Sequence, residues 1–130
     1  MTENHFPKID LHLHLDGSFR LQTLWELAGE RGISLPAATP EDFDAWIYRH
    51  AEARSVNEYL KMFTYPLDVM QDQEAITRIT EELIADLEKQ GLSYAEIRFA
   101  PQLHTRRGLS QEQALQAVLN GLKSPHTVPV

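Results

Sequence analysis

Apolar and polar residues alternate along positions 7–15, Pro-Lys-Ile-Asp-Leu-His-Leu-His-Leu. A period of two predicts a β-strand. Ile9, Leu11, Leu13 and Leu15 then share one face. Asp10, His12 and His14 share the other, joined by Asp16 where the extended chain persists. The period changes after Gly17. Leu21, Leu24, Trp25 and Ala28 recur at helical spacing and predict a helix over 19–31, with Ser18 as N-cap and Gly32 just past the end. Thr39-Pro40-Glu41 supplies a cap, a first-turn proline and an acid, and predicts a second, short helix.

Ser55-Val-Asn-Glu58 has capping-box spacing and opens a third helix with Val56, Tyr59, Leu60 and Phe63 on its apolar face. Pro66 is expected to disturb or end it. Asp72 caps a fourth helix over 73–90, with Ile76, Ile79, Leu83 and Leu87 on one side and Gly91 as its stop. Residues 92–100 read as a second strand, closed by Pro101. Ser110-Gln-Glu-Gln113 is another capping box and opens a helix to about Leu122, with Leu115, Val118, Leu119 and Leu122 inward.

The resulting order, β-α-(α-α-α)-β-α, belongs to the α/β class: two parallel strands, each followed by a helix, with a helical insertion after the first. The tail, residues 123–130, holds two prolines and is expected to be irregular. A length of 130 residues suits a single modest domain. The net charge of −7 argues against a nucleic-acid backbone or an anionic membrane as main partner, because both select Lys and Arg. No signal-peptide pattern opens the chain and no apolar run is long enough to span a bilayer, so a cytoplasmic location is expected. Cysteine is absent, which removes disulfides and thiolate metal sites. A metal would have to be held by His and carboxylate groups, a donor set that suits zinc.

His12 and His14 are the candidate metal ligands. An edge strand with one polar face would explain the alternation alone. Two details favour a metal site: the polar face carries histidines rather than Lys, Thr or Ser, and Asp16-Gly17-Ser18 leads straight into a helix. In parallel α/β folds, sites assemble at the C-terminal ends of strands. Two ligands from one strand do not complete a catalytic zinc site, which uses about three protein ligands and keeps an open position. His50, His104 and His126 lie near loops or helix ends without a supporting acid and read as surface histidines, and His5 lies at the N-terminus.

Pro7-Lys-Ile-Asp-Leu-His-Leu-His-Leu-Asp-Gly-Ser18 resembles the opening of adenosine deaminases, within the metal-dependent amidohydrolase superfamily. Gly91-Leu-Ser-Tyr-Ala-Glu-Ile-Arg-Phe-Ala-Pro101 resembles that family's second barrel strand, and Leu60-Lys-Met-Phe63 is a weaker match. The resemblance implies the N-terminal part of a zinc-containing TIM (β/α)8 barrel, an incomplete single domain. It implies hydrolysis of the 6-amino group of adenosine or deoxyadenosine, with a purine nucleoside as partner. By position, His12 and His14 become zinc ligands, and His14 also faces the substrate. Asp16 would hydrogen-bond the ribose 5′-hydroxyl, and Gly17 would shape that turn. Val56, Tyr59, Leu60 and Phe63 would line the hydrophobic mouth, although periodicity alone also allows them as helix core. Glu96 and Arg98 would share the interior face of the second strand, where a structural, mutually satisfied pair is expected.

Relatives that act on adenine tend to carry Glu where this chain has Asp16, so Asp16 leans toward a nucleoside. The family's third zinc histidine, its His-Ala-Gly-Glu segment and its Asp-Asp pair have no counterpart in these 130 residues. Three readings therefore stand: the front part of an adenosine deaminase; an adenine deaminase or another amidohydrolase; and a non-catalytic α/β module with an incidental HxH. The first predicts open strand edges and bare helix faces, hence weak stability or self-association, and weak zinc binding through two ligands. Thermal melting at several protein concentrations checks this expectation: a concentration-dependent or broad transition supports it, and a sharp, reversible, concentration-independent one contradicts it.

Overall fold

A computed structural model of the chain describes residues 6–130, which leaves His5 outside the described residues. Two parallel strands, β1 (Lys8–His14) and β2 (Leu92–Arg98), form its sheet. Ile9 pairs with Tyr94, Asp10 with Ala95, Leu13 with Ile97 and His14 with Arg98, with an irregular register between Asp10 and Leu13. Between the strands run α1 (Leu21–Arg31), α2 (Pro40–Ala51), α3 (Val56–Leu60), α4 (Thr64–Val69) and α5 (Gln73–Lys89). The sixth helix, α6 (Gln111–Leu122), follows β2. None of the helices in the described residues is long and apolar enough to cross a membrane.

The strongest local signals fold as the pattern dictates. The Asp72 side chain accepts the Ala75 N–H at 2.9 Å and caps α5, which buries Ile76, Ile79, Leu83 and Leu87 on one stripe. Gly91 follows with φ of +72°, a left-handed value that favours glycine, and turns the chain into β2. Thr39 caps α2 through the Asp42 N–H, and Ser110 with Gln113 forms a complete capping box on α6.

Other elements differ from expectation for local reasons. The first helix starts at Leu21, not 19, because Leu15–Gly17 first closes a tight 3₁₀ turn on the buried Leu15. Ser18 therefore caps nothing at α1. Arg20 occupies that cap position, and its guanidinium grips the Asp86 carboxylate of α5 at 2.7 and 2.9 Å. Ser55 makes no side-chain cap, so its predicted box does not form. The third helix breaks at a 3₁₀ turn over Lys61–Phe63, upstream of Pro66. Pro66 instead sits buried in the first turn of α4, where a missing N–H leaves no helical bond unmade.

The register of α6 is rotated from the predicted face. Ala114, Ala117, Val118 and Gly121 are buried, whereas Leu115 and Leu119 are exposed. Close helix approach explains the rotation. A Cβ built on Gly121 would fall 2.6 Å from the Thr80 Cβ of α5, so only the small-residue stripe can face that helix. Thr77 adds a hydroxyl bond to the Ala117 carbonyl at 3.0 Å across the same contact. On β1, Ile9 is 60% and Leu11 51% exposed. This end of β1's apolar face is left open, and α5 packs against β2. After Leu122 no regular element follows, but Val128 is buried and Pro129 accepts the Ala95 N–H at 3.0 Å.

Two outcomes test this packing. Gly121→Ala improves intrinsic helix propensity by about 1 kcal/mol but overpacks the α5–α6 contact. It should destabilise the chain in urea by about 1–3 kcal/mol, and a net gain would refute the close approach. Asp72 accepts the Arg31 guanidinium at 2.6 and 3.0 Å, which holds its carboxyl below the ordinary value. A depressed carboxyl stabilises the fold above the unfolded-state value and loses that contribution as pH falls through the folded one. Asp72→Asn keeps the cap oxygen. It should cost about 1 kcal/mol or less at neutral pH, and this difference should begin to shrink in urea titrations as pH falls below about 4 and vanish only once the folded-state carboxyl, held lower still, is protonated. A difference that persists in acid would contradict the ion-pair origin.

Candidate metal and substrate site

The site forms where β1 ends. Alternation along the strand puts His12 and His14 on one face. Their rings lie 4.8 Å apart between centroids, and the two Nε2 atoms are 2.9 Å apart. Both imidazoles therefore aim a nitrogen at one point. The His12 N–H donates to the Asp10 carboxylate at 3.0 Å and tightens the strand beneath. Leu15–Gly17 then turns sharply and swings Asp16 into the same hollow.

That hollow is a cavity of about 550 Å³ lined by His12, Leu13, His14, Asp16, Gly17, Ser18, Tyr59, Leu60 and Phe63. One side is polar and the other is aromatic and aliphatic. Tyr59 and Phe63 pack edge to face with centroids 5.6 Å apart. Gly17 lets this wall come close, because a Cβ there would come 3.1 Å from the Phe63 ring, and a larger residue would require the ring to shift.

Two imidazole nitrogens 2.9 Å apart, a hydrogen-bond distance in this structure, form a donor pair of the kind that fits a zinc ion, whose bonds to histidine are about 2.0–2.1 Å. The donor set is incomplete. Among the described residues, no group of three or more His, Asp or Glu is placed to hold a metal. His12, His14, Asp16, Gly17, Tyr59, Leu60 and Phe63 all line one cavity. Val56 does not join them; it points into solvent, 72% exposed, at the start of α3.

Glu96 and Arg98 are both exposed and do not pair with each other among the described residues. The reason is local: Glu96 accepts the Tyr94 hydroxyl at 2.9 Å, a bond that also raises the tyrosine above its ordinary value. His104 is not a surface residue. It is buried, with Nδ1 2.7 Å from the Met70 carbonyl oxygen. His50 stacks on Trp46 with centroids 3.8 Å apart, and His126 folds back on the Ser124 carbonyl. Neither lines the cavity. The sequence pattern did not mark Leu13 and Ser18 as lining residues, since one belongs to the apolar face of β1 and the other resembled a helix cap.

Strand-end histidines, an acidic turn and an adjoining α/β scaffold define a class, the TIM-barrel amidohydrolases, and the comparisons agree. Residues 7–127 match the family described as Adenosine deaminase. The chain is 47% identical to the adenosine deaminase of Haemophilus ducreyi over 116 residues, 89% of this chain and 34% of that protein. The adenine deaminase of Arthrobacter aurescens has a TM-score of 0.77 at 28% identity, covering 89% of this chain and 34% of that one. An Arabidopsis N6-mAMP deaminase has a TM-score of 0.72 at 36% identity, covering 91% and 34%.

The chain belongs to the adenosine deaminase family, which is metal-dependent. Its fold is the N-terminal portion of the family's TIM barrel. It spans about a third of the length of these relatives.

Proposed function

We propose that these residues form the first part of the active site of a zinc-dependent deaminase that converts adenosine or deoxyadenosine to inosine or deoxyinosine. The observation that carries this reading is the convergence of the His12 and His14 Nε2 atoms in a cavity that also holds Asp16 and an aromatic wall. Family membership and the Haemophilus ducreyi relative support the reaction class.

His12 and His14 would hold zinc. When bound, zinc brings the pKa of a coordinated water toward neutrality and supplies a hydroxide at ordinary pH. The remaining roles belong to this chain's own groups. Asp16, acceptor-only when ionised, would take a hydrogen bond from the ribose 5′-hydroxyl and orient the nucleoside. Tyr59, Leu60 and Phe63 would cover the purine's apolar face and keep water from it. Gly17 would let Phe63 close against the turn. The third histidine and the acid–base carboxylate that the family resemblance implies for this reaction have no counterpart within these 130 residues.

An alternative substrate is free adenine, and the Arthrobacter aurescens neighbour is an adenine deaminase. Asp16 favours the nucleoside because adenine offers no ribose hydroxyl. A chimera decides between them: residues 7–122 replace the matching segment of the Haemophilus ducreyi enzyme. It should deaminate adenosine with zinc present and lose that activity in His12→Ala. Asp16→Ala should weaken kcat/KM for adenosine about tenfold, the value of one hydrogen bond, and leave any activity on adenine nearly unchanged. Equal losses on both substrates would reject the role of Asp16. Full activity in His12→Ala would reject the metal reading.

A further inference from the structure

The aromatic wall of the cavity is not held by its own packing. Neither α3 nor the turn Lys61–Phe63 contains a buried residue. They pack against α2 on one side and are continued directly by α4, which buries Pro66 and Val69. The far end of α4 is fastened to the turn after β2 by polar ties across more than thirty residues of sequence.

Gln71 is at the centre of these ties and is 3% exposed. Its side-chain nitrogen donates to the Leu67 carbonyl at 2.6 Å and to the Leu103 carbonyl at 2.9 Å. Its side-chain oxygen accepts the Arg106 N–H at 2.9 Å. A glutamine amide has two donors and one acceptor group, and here all are used. Beside it, the buried His104 ring bonds the Met70 carbonyl. At the surface, the Arg106 guanidinium meets the Asp68 carboxylate at 2.8 Å. Packing alone does not require this arrangement, since a leucine would fill a buried site of that size. The amide is suited to joining three backbone groups from two separate elements at fixed spacing.

We infer that Gln71 is a positioning residue: with His104 it latches the end of α4 to the turn after β2, and so holds Tyr59 and Phe63 over the histidine pair. The latch joins the two βα units of the chain on the side of the sheet where the strands end. It rests on the proposed function only for the use to which the wall is put. The latch itself exists whatever the cavity binds.

Amide hydrogen exchange on the full chain tests it, read as protection factors. In Gln71→Leu, protection over residues 56–70 and 101–106 should fall about tenfold, the worth of a lost buried hydrogen bond. Protection over 76–87 in α5 and 114–121 in α6 should hold. Gln71→Glu supplies a readout that packing would not give. At pH 7 its carboxylate would face the Leu67 and Leu103 carbonyl oxygens and break the latch. At pH 5 the protonated acid can donate to one of them, and protection over 56–70 should partly return. The titratable or charged groups around position 71 are Asp68, Asp72, His104, Arg106 and Arg107. Wild type and Gln71→Leu share them all and should not regain protection between those pH values.

Should Gln71→Leu fail to fold, Asp68→Asn opens only the exposed limb and should lower the same protection by a smaller factor. A loss spread evenly over all helices, unchanged protection over 56–70, or a pH response equal in the Leu and Glu variants would overturn the latch. Failure of the chimera to deaminate adenosine would leave these exchange results unaffected and would reject the functional reading alone.

Discussion

Parallel pairing of Lys8–His14 with Leu92–Arg98 brings the end of one strand beside the end of the other, about eighty residues later in the chain. Parallel strands cannot be joined by a tight turn, so the intervening chain has to cross over as helices. The crossover carries the cavity wall, and the strand end carries the histidines. Were the register to slip by one residue, the two faces of β1 would exchange and His12 and His14 would turn away from the cavity. The pairing is therefore the constraint on which the rest depends. Its supports are long-range: Arg20 to Asp86, Arg31 to Asp72, and the buried stripe of α5.

The site is small and its parts are economical. Two imidazoles need only strand alternation to converge. The acid needs only a turn. The wall is closest at Gly17, where a Cβ would press on the Phe63 ring at 3.1 Å. Among the described residues no group of three or more His, Asp or Glu is placed to hold a metal, and the chain spans about a third of the length of the relatives it matches. The helical wall carries no buried residue of its own and packs against α2 and α4, and the end of α4 is tied to the turn after β2 through Gln71 and His104.

Much of this was legible from the residues. HxHxDG at the end of an alternating strand put His12 and His14 on one face, because strand geometry is fixed by a period of two, whereas Asp16 reaches the same hollow through the 3₁₀ turn that follows the strand. The caps at Thr39, Asp72 and Ser110 were legible because each rests on a side-chain bond three residues long. What stayed hidden depends on distant partners. The inward face of α6 is set by Thr80 across the α5 contact, so Leu115 and Leu119 look like core in sequence and are not. His104 looked like a loop histidine because its partner, the Met70 carbonyl, is thirty-four residues away. Val56 kept the helical period of Tyr59 and Phe63, but α3 ends after one turn and the period no longer aims it at the cavity.

The central claim is that His12 and His14 form one half of a metal site through their Nε2 atoms. X-ray absorption at the zinc edge, on the full chain loaded with one equivalent of zinc, tests it most directly. The account predicts scattering from two imidazole rings, with the remaining first shell made of water oxygens, and loss of one ring in His12→Ala. Three or more protein nitrogens or carboxylates in the first shell, or a spectrum unchanged by His12→Ala, would contradict it.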